Sequence, residues 1–259
     1  MMRITETVKH LLILNIIFFI GTWILRDPSA VNWMENNQAV KLLALHFPAN
    51  PDFKVWQVIT HMFMHGSVMH IFFNMFALFS FGGLLEQMWG PKKFIFFYIS
   101  CGLGAAALHV GVNYFQFHNL MEACQVNGLS KTQVLDAMSA GNYNLIATKV
   151  GVPVTQSIYD IYNSPMLGAS GAIYGLLVAF AFMFPNAELM LMFIPIPIKA
   201  KYFVPALLAY DMFSGLRGQS VFGGGSDGIA HFAHIGGAIL GFIMMWYWKK
   251  NQYNSNRWN

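Results

Sequence analysis

The residues best suited to chemistry in this chain are a serine and a histidine set among glycines. Ser170 lies in Gly168-Ala169-Ser170-Gly171, and His234 is followed by Gly237 and Gly241. A serine hydroxyl is a weak nucleophile until a base takes its proton, so a serine with a histidine at the same depth suggests a nucleophile and its base. Glycines around Ser170 permit a tight turn and close approach of another backbone. A helix starting at Ser170 would present unpaired N–H groups, which suit a developing oxyanion. Tyr174 falls one turn later on the same face, where it can pack against an imidazole. His70 and Asn74, four residues apart, share a face and both donate hydrogen bonds, as an oxyanion hole requires of side chains.

The elements that must position these groups cross a membrane. The 259 residues are 56% hydrophobic and 10% charged, whereas a soluble domain carries about 25% charged residues. Apolar runs predict six spans, at 8–25, 65–85, 94–115, 166–184, 202–216 and 229–248, and hence an all-α bundle. We take the first run as a retained span, because no small-x-small cleavage site follows it before Arg26 and Asp27. The expected organisation is a single domain over 1–259, with a core at about 8–248 and a short cytoplasmic tail at 249–259. Polar loops fill 26–64 and 116–165, the second with a short helix at 132–138. Arg3, Lys9, Lys92, Lys93, Lys199, Lys201, Lys249, Lys250 and Arg257 cluster in short segments on one side. Arg26, Lys41, Lys54, Lys131, Lys149 and Arg217 are spread over much longer ones. The expected orientation therefore has both termini inside.

Depth links the spans to the chemistry. Ser170 precedes Pro185 by 15 residues, His234 precedes Lys249 by 15, and His70 precedes Glu86 by 16. At 1.5 Å per residue all three sit about 22–24 Å above the inner boundary of a core about 30 Å thick. The G-x-x-x-G spacing of Gly237 and Gly241 would let span six touch its neighbour and bring His234 to Ser170.

On these residues the chain resembles the rhomboid proteases. Gly168–Gly171 matches their G-x-S-G motif, Ala233-His234 through Gly241 their A-H-x-x-G-x-x-x-G pattern, and His70 to Asn74 their H-x-x-x-N pattern. The resemblance implies an intramembrane serine endopeptidase with a Ser–His dyad and no third acidic member, cutting transmembrane substrates near their outer end. It implies Ser170 as nucleophile and His234 as base and acid. His70, Asn74 and the Ser170 N–H would bind the oxyanion, and Tyr174 would support the His234 ring. Gly168, Gly171, Gly237 and Gly241 would support the site. The 116–165 loop is longer than in the simplest members. His231, one turn before His234, lacks the glycine spacing that follows His234.

Each residue also has a plainer reading. A serine flanked by glycines is commonly a packing residue, Asn74 can join helices, and buried histidines can hydrogen-bond across them. His61, His65, His70, His231 and His234 could together suggest metal or haem ligation, and Asp211, inside span five, a proton relay or a group facing a wet cavity. The chemistry itself needs no metal or organic cofactor. Expected partners are transmembrane proteins and the lipid bilayer, with no nucleic acid. A proteolytically inactive, client-binding rhomboid relative is the alternative function. A transporter is disfavoured by the lack of an internal repeat. Cys101 and Cys124 form no C-x-x-C pair and no expected disulfide. The expected location is a bacterial inner membrane.

Overall fold

The computed structural model describes residues 4–26, 29, 36–191, 194–217 and 228–255. Arg3 and Arg257, used above for orientation, lie outside them. Twelve α-helices are present among these residues: α1 (Glu6–Ile24), α2 (Gln38–Leu43), α3 (Gln57–Thr60), α4 (Val68–Ala77), α5 (Gly83–Trp89), α6 (Pro91–Val126), α7 (Lys131–Ser139), α8 (Asn144–Val150), α9 (Val152–Asn163), α10 (Ser170–Met183), α11 (Ala200–Arg217) and α12 (Gly228–Ser255). A π-helical turn, Leu78–Gly82, joins α4 and α5 into the continuous span Val68–Trp89. Three helices among the described residues are long and apolar enough to cross a membrane: Glu6–Ile24, Val68–Trp89 and Pro91–Val126.

Helix α10 is the centre of the bundle. Every residue from Gly171 to Phe180 is buried, because α6, α12, α11 and the α4–α5 span all pack around it. A helix enclosed on all sides has no polar face, which is why its sequence is apolar beyond Ser170 and Tyr174. The outer helices instead leave large apolar side chains exposed, among them Ile17, Ile20, Phe72, Phe76, Phe242 and Ile243. Apolar groups on this scale outside a packed core fit a lipid surround.

Two expectations need correction. The all-α expectation omits a two-stranded antiparallel sheet, β1 (Glu188–Leu191) with β2 (Ile194–Lys199), in which Glu188 pairs with Lys199. Pro195 and Pro197 explain it, since alternate prolines cannot continue a helix but are tolerated at sheet edges. The loop expected at 116–165 contains the short helix expected at 132–138, as α7, and is largely helical elsewhere too. Helix α6 runs 36 residues, about 54 Å, well past a hydrocarbon core of about 30 Å. Its C-terminal part packs with α7, α8 and α9 around a second core of Phe117, Met121, Val134, Ile146 and Ile158. The capping box of Ser130 and Gln133 starts α7 at a point legible in the sequence.

One carboxylate anchors the first span. Glu86 on α5 accepts the backbone N–H groups of Thr7 and Val8, each at 3.0 Å, and the hydroxyl of Thr5. It thereby caps α1 from another helix, satisfying donors that a helix start leaves free. We predict that Glu86→Ala lowers stability by about 1–2 kcal/mol, read as an earlier unfolding midpoint in detergent.

Candidate active site

Ser170 is the first residue of α10, and the segment before it is held by backbone bonds. Leu45 and Met166 exchange two N–H···O bonds of 2.8 Å, and the Gly168 N–H donates to the His61 carbonyl at 2.9 Å. Gly168 has φ of 128°, a region closed to most side chains. A Cβ there would stand 2.8 Å from His70 Nε2 and 3.5 Å from Ser170 Oγ. The missing side chain therefore leaves the space where a carbonyl oxygen attacked by Ser170 would sit, bordered by His70 and by the free N–H groups of the α10 start.

His234 reaches this point from α12. Its Nε2 lies 2.8 Å from Ser170 Oγ, and its ring stacks on Tyr174 at 4.2 Å between centroids with planes 12° apart. The approach requires backbones in contact. A Cβ on Gly237 would overlap the carbonyl of Gly171, and one on Gly241 would stand 2.8 Å from the Gly175 Cα. The expected G-x-x-x-G of α12 thus meets a second one, Gly171 and Gly175, on α10. The four-residue spacing of that partner pair is visible in the sequence, although its pairing is not.

His70 occupies the opposite side of Ser170. The Gly66 N–H lies 3.3 Å from its Nδ1, an arrangement that leaves Nε2 protonated and facing Gly168. Asn74 is buried one turn below, and its amide donates to the His70 carbonyl at 2.9 Å. One amide hydrogen is so engaged and the other remains to donate. Ser170, His234, Tyr174, His70, Gly168, Gly171, Gly237 and Gly241 are therefore brought together, with Asn74 beside them.

Asp211 is the residue whose place the sequence left open. It is buried on α11, its Oδ1 lies 2.6 Å from His231 Nδ1, and both its oxygens lie 3.4 Å from His234 Nδ1. Asp211, His231 and His234 are the one group among the described residues with metal-ligating types this close together. The 2.6 Å contact is a hydrogen bond. Two ligands of a tetrahedral ion with bonds of about 2.0 Å would stand about 3.3 Å apart. The spacing thus fits a hydrogen-bonded carboxylate better than two ligands of one ion.

Residues 52–133 and 139–251 match the Rhomboid domain. The chain belongs to the rhomboid family. It is 25% identical over 193 residues to Rhomboid protein 1, mitochondrial, of Saccharomyces cerevisiae, covering 74% of this chain and 42% of that protein. It is 26% identical over 205 residues to the presenilin-associated rhomboid-like protein, mitochondrial, of Mus musculus, covering 78% and 40%. A shorter match, 39% over 57 residues, joins it to Rhomboid protease GlpG of Haemophilus influenzae, covering 21% of this chain and 30% of that one. The chain spans less than half the length of these curated relatives. The yeast and mouse proteins overturn the expected bacterial inner membrane, since each matches over about three quarters of this chain and is named as mitochondrial. The physical reason is that apolar spans answer to hydrocarbon thickness, which the two membranes share, so composition carries no compartment signal.

Two expectations follow from this geometry. Gly237→Ala forces α12 off α10, and we predict a loss of about 1–3 kcal/mol together with slower reaction at Ser170, measured by thermal unfolding and by labelling with a serine-directed fluorophosphonate. His61, in the loop before the second span, is fully buried, and burial pushes its imidazole down to about 4. It folds neutral, so its contribution is complete above about pH 6.5 and is lost as pH falls from there toward 4. The pH slope of stability in that window should flatten in His61→Asn.

Proposed function

We propose that this rhomboid-family protein is an intramembrane serine endopeptidase. The observation that carries the reading is the 2.8 Å contact of Ser170 Oγ with His234 Nε2 inside a helical bundle, with the ring stacked on Tyr174. His234 takes the proton of Ser170 as the hydroxyl attacks a scissile carbonyl. The oxyanion forms beside Gly168, where His70 Nε2–H, the Asn74 amide and the first N–H groups of α10 stabilise it. His234 then returns the proton to the departing amine, and a water deprotonated by the same imidazole opens the acyl-enzyme. Losing one oxyanion donor costs about 100–1,000-fold in rate. Ser170 and His70 are only partly buried and the His234 side chain keeps 17% of its surface exposed, which supports entry of the hydrolytic water.

The proposed setting is one domain over 1–259 with six spans and both termini on the positively charged side. An aromatic and cationic belt at that end supports the orientation: Lys93 lies 4.0 Å over the Trp248 ring, Trp248 packs on Trp89, and Lys249 and Lys250 flank Phe182 and Trp246. From there Ser170 sits toward the outer side. The proposed substrates are transmembrane segments, unwound locally so that a peptide bond becomes accessible, and the proposed bilayer is mitochondrial, on the names of the relatives.

The test is fluorophosphonate labelling of purified protein alongside cleavage of a reporter transmembrane segment. Wild type should label and cleave, and Ser170→Ala and His234→Ala should lose both activities by about 1,000-fold or more. Folded wild-type protein that binds the reporter without labelling or cleavage would establish the client-binding alternative.

A further inference from the structure

A Ser–His pair leaves the far nitrogen of the imidazole to be accounted for. When His234 takes the Ser170 proton on Nε2, its ring becomes a cation whose Nδ1–H must find an acceptor within the bundle. Asp211 faces that nitrogen, with both carboxylate oxygens at 3.4 Å. Its side chain is 3% exposed, so the charge is costly unless it is used. Two helices meet at it: α12 brings His231 and His234, one turn apart on one face, and α11 supplies Asp211 itself.

We propose that Asp211 is a positioning residue that accepts the Nδ1–H of His234 and stabilises the imidazolium formed when Ser170 is deprotonated. The inference rests on the protease reading above and adds a third member to its pair. The proton balance is closed. The Ser170 Oγ proton moves to Nε2, the Nδ1 proton stays on its nitrogen, and Asp211 remains a carboxylate. The Nε2 proton later goes to the leaving amine.

The 3.4 Å distance is long for a charge-assisted bond, which is normally about 2.7–2.9 Å. His231 explains it. Its Nδ1 takes the short bond to Asp211 at 2.6 Å, holding the carboxylate from the neighbouring turn of α12. The carboxylate is thus anchored by one histidine and available to the other. Once His234 becomes cationic the attraction rises, and contacts of this kind tighten as the reaction proceeds. Of the other titratable groups around His234, Tyr174 stacks flat on its ring, His231 already bonds Asp211, and His70, on the opposite side of Ser170, offers no acceptor to Nδ1.

The experiment compares wild type with Asp211→Asn in two measurements. The first is fluorophosphonate inactivation, separated into the maximal rate and the half-saturating concentration. The second is nitrogen NMR of the histidine rings. An asparagine amide donates to Nδ1 where the carboxylate accepted, which inverts the tautomer and leaves Nε2 protonated toward Ser170. The expected result is a maximal rate lowered by roughly 100-fold or more, an unchanged half-saturating concentration, and exchanged Nδ1 and Nε2 signals for His234. Asp211→Glu, which keeps the carboxylate, should recover part of the rate. Wild-type kinetics and an unaltered tautomer in Asp211→Asn would overturn the role of Asp211 while leaving Ser170 and His234 in place. If that variant fails to fold, the wild-type spectrum decides: a protonated Nδ1 on His234 supports the proposal and a bare Nδ1 defeats it. Folded wild type that does not label at all overturns both this inference and the protease reading.

Discussion

The backbone contact between α10 and α12 is the constraint on which the candidate site depends. Ser170 and His234 reside on different helices, and ordinary side chains hold helix axes 8–10 Å apart. Gly237 against the Gly171 carbonyl and Gly241 against Gly175 remove the side chains that would keep these two apart. In lipid no hydrophobic force presses helices together, so close van der Waals packing must provide the attraction. The same contact that stabilises the pair of helices brings an imidazole nitrogen 2.8 Å from a serine oxygen. Packing and placement are one interaction here.

The helices around this seam supply rigidity from several directions. Helix α6 closes its back, where Gly104 lies against Gly236 and Leu240. The segment entering α10 is tied to the loop between α1 and α4 through Leu45 and His61. That loop is organised by buried Gln57, whose amide donates to the carbonyls of Lys41 at 2.9 Å and Asp52 at 2.8 Å, and whose oxygen accepts from the N–H of Lys54 at 3.0 Å. An irregular segment near a bilayer must satisfy its backbone within the protein, and Gln57 does so for several groups at once. The turn before Ser170 is thereby held on both sides without a regular sheet.

Two clusters gather polar groups from neighbouring elements. Asp211, His231, His234, Tyr174 and Ser170 form one connected set across α10, α11 and α12. Glu86 forms another at the start of α1. Both follow from the cost of a buried charge, which has to be met by partners on neighbouring elements. The second core under α7, α8 and α9 is a different solution, in which apolar residues of mixed-polarity helices cover one another.

Much of this protein was legible before any folding. The serine between glycines, the histidine with its glycine spacing, and His70 with Asn74 were readable because a membrane makes each polar residue conspicuous, and residue counts convert to depth at a fixed rise. Within 116–165 the short helix at 132–138 was legible, but the helices on either side of it were hidden, because their mixed polar and apolar residues lack the continuous run that marks a span. The partner of His234 was hidden for another reason. Asp211 lies 23 residues from it along the chain, and no periodicity relates positions on two different helices. Only the packing of α11 against α12 decided that this carboxylate would face the imidazole. Sequence periodicity is a property of a single element, whereas the side of a histidine that meets an acid is set by how the elements cross.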